Sequence, residues 1–405
     1  MSWLAAAGGV AIAGVGVFAL KQHMEKVNFD KYTKPDLVLE VRLSSVAPSR
    51  DRHTVLVTGG NGFLGSYVVR QLIAKGTYNV IVFDISLPRG HALHPEVTYV
   101  QGNLLKPDHV KAALQVFAPV GISVQSVIHV ASLIPSLPAT LRVSEAVNVE
   151  GTRNVLDACA ACKVSSLVYT SSVSVILPPN NLEIRKASED MTDYPEHNID
   201  TYAHTKAEAE RKVLAANTAA LATCSLRPSA IFGKGIFLVD EILRRGLKNI
   251  VVGDGKFLND FVAVEDVANA HVLALEALQT REGRGRVGGQ AYFIGGGEEL
   301  EFSWFRGIGT HGRNDPSLTH WERPPPKQIP LWLVESFAWV NEIVFALSGA
   351  VLVDSHLSVS ALQYMKRTYT FSIAKAKRDL AYAPQHTVAE KIAMLVADHT
   401  KAKAE

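Results

Sequence analysis

The stretch Thr54-Val-Leu-Val-Thr-Gly-Gly-Asn-Gly-Phe-Leu-Gly65 decides the fold of this 405-residue chain. It begins as a short apolar, β-branched run and stops at a cluster of glycines. A helical pattern follows at once and stops at Gly76, and a second apolar run, Asn79-Val-Ile-Val-Phe-Asp84, reads as a buried strand. A strand, a glycine turn, a helix and a second strand in this order form the unit that binds a dinucleotide.

The glycines of this turn have separate tasks. Gly59 permits the tight turn, Gly62 lets the backbone approach a pyrophosphate, and Gly65 lets the helix pack closely. The N–H groups at the start of the helix then face the phosphates. Asp84 lies 19 residues after Gly65, where a carboxylate binds the hydroxyls of the adenosine ribose.

Asp84 also bears on the choice between NAD and NADP. A carboxylate at this position repels a 2′-phosphate, and the next residue is Ile85 rather than an arginine that would neutralise it. The sequence therefore favours NAD. Arg89, five positions on, keeps NADP open as the less favoured alternative.

Strands and helices continue to alternate after this unit, which predicts an α/β fold with a doubly wound parallel sheet. We expect a dinucleotide-binding domain at residues 53–235 and a mainly substrate-binding region at residues 236–405. His129 lies inside an apolar strand and is expected to be a hydrogen-bonded core histidine. The further predicted strands are 97–100, 126–131 and 166–170, and helical patterns lie at 107–118 and 144–162.

A second motif, Tyr202-Ala-His-Thr-Lys206, opens another predicted helix. Residues four apart share one helix face, so the phenol of Tyr202 and the ammonium of Lys206 are neighbours. A fixed positive charge lowers the pKa of a tyrosine, which makes it a usable proton acceptor near neutral pH. Ser172 follows a predicted strand, 30 residues before Tyr202, and is expected to hydrogen-bond the same substrate oxygen. The three residues predict a dehydrogenase site.

Charge and cysteine content exclude other classes of function. The net charge of +2 and the lack of a basic stripe argue against a nucleic-acid partner. Three cysteines favour a reducing compartment. Cys159 and Cys162 lie in a helical stretch without a second pair or a nearby histidine, so we interpret them as helix packing and predict no metal site.

Two apolar segments of the chain carry membrane signals. Trp3 to Leu20 is an uncharged run of 18 residues, so we predict a membrane anchor at residues 1–26 and a linker at 27–52. Lys21 and Lys26 follow the run, which favours a catalytic region in the cytoplasm. A second apolar segment at 329–347 contains two glutamates and is predicted to lie in the membrane interface, with a core helix as the alternative.

Several stretches together resemble the extended short-chain dehydrogenases. Within that class the chain is most similar to the 3β-hydroxysteroid dehydrogenase group, and within the group to sterol-4α-carboxylate 3-dehydrogenases (decarboxylating). The resemblance covers about residues 54–400. The stretches that carry it are Thr58–Gly65, Val127–Ala131, Asn148–Val155, Leu167–Ser172, Tyr202–Lys206, Leu226–Gly233, Val267–Ala274 and Ile373–Pro384.

The resemblance implies a set of site residues. Ser172, Tyr202 and Lys206 would be catalytic. Residue 103, in Gly102-Asn-Leu104, is often an aspartate in the family, and we expect the amide of Asn103 to meet the adenine edge instead. The stretch 303–355 matches the family least and is expected to help form the substrate entrance. The implied cofactor-binding residues are Gly59, Asn61, Gly62, Phe63, Leu64, Gly65, Asp84, Asn103, Leu104, Val130, Ala131, Tyr202, Lys206 and Pro228.

The resemblance also implies a reaction, a location and partners. The substrate would be a 4α-carboxysterol, oxidised at its 3β-hydroxyl by NAD with loss of CO2, as in sterol C4-demethylation. Lysines 401 and 403 resemble a dilysine address for the endoplasmic reticulum membrane. Other C4-demethylation enzymes and a second copy in a homodimer are the implied protein partners.

Other activities share the same motifs. The first alternative is a 3β-hydroxysteroid dehydrogenase, with or without isomerase activity, acting on a steroid without the carboxylate. Dihydroflavonol-type reductases and sugar-nucleotide epimerases form a second group, and the epimerases are usually soluble. A non-catalytic NAD-binding scaffold or redox sensor is the alternative outside enzymes.

Overall fold

The computed structural model of the protein describes residues 30, 33–34, 36–88, 93–134, 141–235, 250–253, 255–301, 327–348 and 359–404. The predicted anchor at residues 1–26, Arg89, and residues 303–326 and 349–355 of the expected substrate entrance lie outside these ranges.

A largely parallel sheet is the centre of the fold. Its order is β1-β4-β3-β2-β5-β6-β8-β12, in which β1 is antiparallel to β4 and the other neighbours are parallel. The order reverses between β2 and β5, and sheets of this kind bind ligands at the carboxyl ends of the strands beside the reversal. The strands are β1 (Glu40–Arg42), β2 (His53–Thr58), β3 (Tyr78–Asp84), β4 (Val97–Gln101), β5 (Ser126–His129), β6 (Ser166–Thr170), β8 (Ala222–Pro228) and β12 (Ala291–Ile294).

Helices cover both faces of this sheet, which confirms the predicted doubly wound α/β fold. One face packs on α1 and α6, and the other on α2, α4 and α5. Helix α1 ends at Gly76, which has a φ of +69° and stops the helix where the sequence predicts. The described helices are α1 (Phe63–Lys75), α2 (Pro107–Leu114), α3 (Leu141–Ser144), α4 (Gly151–Ala161), α5 (Thr201–Ala215), α6 (Val264–Gln279), α7 (Arg281–Val287), α8 (Leu331–Ser348), α9 (Val359–Met365), α10 (Ala374–Leu380) and α11 (Val388–Ala404), with π-helical turns at Glu145–Glu150.

The remaining described strands belong to smaller sheets. One has the order β13-β11-β15-β7, with β9 paired to β11, and β10 pairs with β14. From the predicted substrate-binding region, α6 and β12 return to the central sheet, so the chain does not divide cleanly at residue 235. These strands are β7 (Glu183–Ala187), β9 (Ala230–Phe232), β10 (Ile250–Val252), β11 (Leu258–Ala263), β13 (Glu299–Glu301), β14 (Lys327–Ile329) and β15 (Thr368–Phe371).

The predicted linker needs a correction. Within residues 27–52, strand β1 extends the central sheet, because Glu40 pairs with Gln101 and Arg42 pairs with Tyr99. Backbone pairing across strands, rather than local composition, orders this stretch.

In the ranges that the structure describes, no helix has both the length and the apolar character needed to cross a membrane.

Candidate active site

Two glycines of the turn after β2 have no room for a Cβ atom. Gly59 has a φ of +69°, and a Cβ there would lie 2.7 Å from the Cα of Ala131. A Cβ on Gly65 would lie 2.1 Å from the carbonyl oxygen of Gly59. Helix α1 therefore starts directly against the turn, and the tasks predicted for Gly59 and Gly65 are confirmed.

Asp84 is held in place by backbone donors at the end of β3. Its carboxylate accepts hydrogen bonds from the N–H of Asn61 at 3.0 Å and from the N–H of Ser86 at 3.1 Å. Burial raises the pKa of Asp84 above its usual value, and these two bonds act in the opposite direction. The side chain of Asn61 also donates to the carbonyl of Ser86 at 2.6 Å, so the acid and the glycine turn form one unit.

Tyr202 lies in the first turn of α5, where the sequence predicts a helix start. Asp200 caps this helix by accepting a hydrogen bond from the N–H of Ala203 at 2.8 Å. The hydroxyl of Ser172 accepts hydrogen bonds from the N–H of Ser174 at 3.2 Å and from its hydroxyl at 2.9 Å. Burial is the main cause that raises the pKa of Tyr202, the charge of Asp200 adds to it, and the nearby Ser172 hydroxyl lowers it. The expectation of a lowered pKa is therefore wrong for this arrangement, because burial is the largest influence on the phenol.

Lys206 is buried on the same helix, with 1% of its surface exposed. Its ammonium donates to the carbonyl of Thr170 and lies 4.3 Å from the centre of the Tyr169 ring. Burial lowers the pKa of Lys206 to about 7, while the charge of Glu210 acts in the opposite direction. This lysine therefore changes charge near neutral pH.

One cavity of about 620 Å³ joins these elements. Every residue that the sequence or the resemblance placed in the site lines it, including Gly59, Tyr202 and Pro228. The glycines leave a side-chain-free cradle and Asp84 offers a fixed carboxylate, so the residues present fit a dinucleotide. The cavity also includes residues that sequence reasoning missed: Thr33, Phe83, Ile85, Ser86, Gly102, Leu105, Ser132, Leu133, Ile134, Val147, Thr170, Ser171, Ser229 and Ile231.

Some of the missed residues had a signal in the sequence. Ile85 and Ser86 follow Asp84, and Ser171 precedes Ser172, so their places follow from residues already assigned. Ser171 is 3% exposed. Thr33 had no such signal, because it lies in the stretch that we read as a linker.

Asn103 differs from the sequence-based expectation. Its amide nitrogen donates to the carbonyls of Thr33 at 2.6 Å and Lys34 at 3.2 Å, and its amide oxygen accepts from the N–H of Leu105 at 2.8 Å. Asn103 lines the cavity, but its amide is used by the chain itself. The predicted bond from this amide to an adenine edge is therefore not supported.

His129 and the cysteines have structural roles. The two ring nitrogens of His129 lie 2.6 Å and 2.9 Å from the hydroxyls of Thr58 and Thr152, and burial lowers its pKa to about 3. The prediction of a satisfied core histidine is confirmed. Cys159 is buried, Cys162 is partly buried, and burial raises the pKa of both thiols. Both therefore stay in the unreactive thiol form.

The sheet reversal beside a glycine turn, and the Ser172, Tyr202 and Lys206 set at the same cavity, define an oxidoreductase of the extended short-chain dehydrogenase class. The sequence comparisons narrow this class. Residues 56–305 match the 3-beta hydroxysteroid dehydrogenase/isomerase family, and the chain belongs to that family.

Relatives from animals, plants and fungi match most of the chain. Short-chain dehydrogenase/reductase family 42E member 1 of Macaca fascicularis is 34% identical over 82% of this chain and 84% of its own length. The 3beta-hydroxysteroid-dehydrogenase/decarboxylase isoform 1 of Arabidopsis thaliana is 33% identical, over 86% of this chain and 80% of its own. The decarboxylating sterol-4-alpha-carboxylate 3-dehydrogenase erg26 of Schizosaccharomyces pombe is 31% identical, over 82% of this chain and 93% of its own length.

A solved structure supports the fold. The UDP-glucose 4-epimerase of Thermus thermophilus, solved as a complex with NAD, aligns with a TM-score of 0.61. It is 23% identical and covers 86% of this chain and 99% of its own. At this identity the likeness establishes the fold and says nothing of the substrate.

Proposed function

We propose that this protein oxidises the 3β-hydroxyl of a 4α-carboxysterol to the 3-ketone, with NAD as the hydride acceptor and with loss of CO2. The observation that carries the proposal is that Ser172, Tyr202 and Lys206 line the same cavity as the carboxylate of Asp84. The names of the Arabidopsis and fission-yeast relatives, which pair dehydrogenation with decarboxylation, support this substrate class.

Tyr202 acts as the proton acceptor in this proposal. The bound dinucleotide supplies the acceptor for the hydride that leaves C3. Tyr202, as phenolate, takes the proton of the 3-hydroxyl, and Ser172 donates a hydrogen bond to the same oxygen. Because burial disfavours the phenolate, the step requires Lys206 in its charged form nearby.

Loss of CO2 needs no further residue. The oxidised product carries a ketone at C3 and a carboxylate on C4, which makes it a β-keto acid. The bond between C4 and the carboxylate breaks, CO2 leaves, and the electron pair moves into the C3 carbonyl to form an enolate. Water then protonates the enolate at C4.

The test is turnover by detergent-solubilised protein. A 4α-carboxy-3β-hydroxysterol with NAD should give equal amounts of reduced cofactor and CO2. Tyr202→Phe should lower turnover at least about 100-fold, since it removes a general base. Tyr78→Phe is a matched control, because its hydroxyl lies outside the cavity, 3.5 Å from Glu276 and near Gln279. More than a tenth of wild-type turnover in Tyr202→Phe would contradict the role of Tyr202.

The family description favours one other activity, a 3β-hydroxysteroid dehydrogenase acting without decarboxylation. The same assay separates the two, because turnover of only the carboxylate-free sterol would support this second candidate. Dinucleotide binding without turnover of either sterol would favour a non-catalytic scaffold.

Helix α8 supports contact with a membrane. Its exposed side chains include Trp332, Phe337 and Trp339, at 67%, 55% and 58% exposure. Its two acids turn to the protein: Glu335 pairs with Lys366 at 3.1 Å, and Glu342 accepts from the N–H of Val359 at 2.9 Å. The exposed face thus avoids the cost of placing carboxylates in lipid. We propose that this face rests in the membrane interface.

A fluorophore sensitive to polarity tests this contact. Attached through Trp339→Cys, it should shift to shorter wavelength when the protein is reconstituted in vesicles. Attached through Val120→Cys, which is 51% exposed after α2 and accepts a hydrogen bond from Arg50, it should not shift. A shift in detergent-free solution that depends on protein concentration would instead indicate a second copy of the chain on this face.

The proposed sterol substrate also bears on where the protein is located in the cell. We propose the endoplasmic reticulum membrane, with the catalytic region in the cytoplasm, supported by Lys21 and Lys26 after the apolar run at residues 3–20. Protease treatment of intact microsomes should digest the catalytic region, and its protection would contradict this orientation.

A further inference from the structure

An N-terminal stretch reaches the cofactor cavity from outside the dinucleotide-binding unit. We call residues 33, 34 and 36–42 the strap. Thr33 is 2% exposed and lines the cavity together with Asp84 and Asn103. Asp84 marks the position of the adenosine ribose, so the strap lies at the adenosine end.

The strap is fixed to the loops that shape this end. The amide of Asn103 donates to the carbonyls of Thr33 and Lys34, and Lys106 donates to the carbonyl of Leu37 at 2.9 Å. Farther along, β1 pairs with β4. These contacts all fall on β4 and the loop after it, which carries Asn103. Movement of the strap and movement of this wall of the cavity are therefore linked.

The residue type at position 103 determines whether the strap can be seated. Two carbonyl oxygens converge on one amide nitrogen, so the side chain must be a donor there. An aspartate keeps the acceptor for the N–H of Leu105 but turns its second oxygen towards the two carbonyls. Asn103 is 3% exposed, so this repulsion would not be relieved by water.

We propose that the strap is a part of the cofactor site: Thr33 closes the cavity over the adenine end of the dinucleotide, and Asn103 is the positioning residue that seats it. This inference rests on the proposed use of a nicotinamide dinucleotide. It makes strap seating and adenosine binding mutually dependent, because each orders the surface that the other contacts.

Hydrogen exchange of the full chain in detergent tests the coupling. NAD and ADP-ribose, which both carry adenosine, should slow amide exchange in the strap at least about tenfold. Nicotinamide mononucleotide, which lacks adenosine, should leave the strap unchanged. Binding of NAD without slower exchange in the strap would overturn this inference alone. Absence of any dinucleotide binding in calorimetry would overturn the proposed function as well.

Asn103→Asp tests the role of the amide. In ligand-free protein the strap should exchange faster, and the Kd for ADP-ribose should rise at least about tenfold, because both hydrogen bonds of the amide nitrogen are lost. The affinity for nicotinamide mononucleotide should not change. Asn217→Asp is the matched control, because Asn217 is exposed and its oxygen accepts from the N–H of Thr223, a bond that an aspartate keeps.

Two further outcomes keep the test decisive. Weaker ADP-ribose binding in Asn103→Asp with unchanged strap exchange would mean that residue 103 contacts adenine directly, and would overturn the seating role.

If Asn103→Asp does not fold, Lys106→Met removes the hydrogen bond to Leu37 and leaves the residues of the cavity wall in place. It should loosen the strap and weaken ADP-ribose binding in the same sense, and unchanged values for both would overturn the proposal.

Discussion

Glu210 accepts hydrogen bonds from the Nε of Arg227 at 3.0 and 3.2 Å in a buried layer behind the active site. Their side chains are 0% and 5% exposed. The hydroxyls of Ser225 and Tyr194 donate to the same carboxylate, at 2.6 and 3.0 Å. Glu210 lies one turn beyond Lys206 on α5, so this network ties the helix of Tyr202 and Lys206 to β8.

Glu210→Gln should therefore destabilise the protein strongly. The variant leaves the guanidinium of Arg227 buried without a counter-charge, which costs about 3–5 kcal/mol in comparable buried pairs. Urea unfolding of the detergent-solubilised chain measures this loss. Glu208→Gln is the matched control on the same helix, since its pair with Arg211 is solvent-exposed and worth less than about 1 kcal/mol. Equal stability of the two variants would contradict the role of the buried pair.

The sequence predicted the parts of the site that depend on local patterns. The glycine turn, Asp84 and the Tyr202 helix are each encoded within a few residues, and their order along the chain places them at one end of a parallel sheet. Alternation of strands and helices then predicts both layers of the fold.

The rest depends on contacts between distant segments. Arg227 meets Glu210 across a helix and a strand, and Asn103 meets Thr33 from 70 residues away. No local period or spacing encodes such pairs. The pKa of Tyr202 shows a related limit, because the sequence identifies the neighbouring lysine but not the degree of burial, and burial determines the sign of the shift.

Lys206 should make stability depend on pH in a way that a single variant can isolate. Its pKa is about 7 in the folded protein, and near 10.4 in the unfolded chain. Between these values the unfolded chain holds one more proton, so stability rises with pH, by about 1.4 kcal/mol per unit. Lys206→Met removes this contribution to the pH dependence of stability. The stability of the wild type relative to Lys206→Met should therefore increase from pH 7 to pH 9 in urea unfolding, and parallel curves would contradict the lowered pKa.

Gly65→Ala tests the closeness of α1 to the glycine turn. The added Cβ would lie 2.1 Å from the carbonyl oxygen of Gly59, so the helix must move away from the turn. We expect lower stability and at least about a tenfold weaker binding of NAD, because the N–H groups at the helix start lose their position. Gly285→Ala in α7 is the control, since its Cβ meets no atom within 4 Å and alanine favours a helix. Normal NAD affinity in Gly65→Ala, measured by calorimetry, would show that this packing is not required.

Asp84→Asn tests the preference for NAD. The amide retains the shape of the side chain and one acceptor for the N–H groups of Asn61 and Ser86, but it removes the charge that repels a 2′-phosphate. The ratio of the Kd for NADP to the Kd for NAD should therefore fall at least about tenfold in calorimetry. Asp108→Asn, an equal change of charge at the exposed start of α2, should leave this ratio unchanged. Because the two cofactors differ only in the phosphate, an unaltered ratio in Asp84→Asn would mean that some other group selects the cofactor.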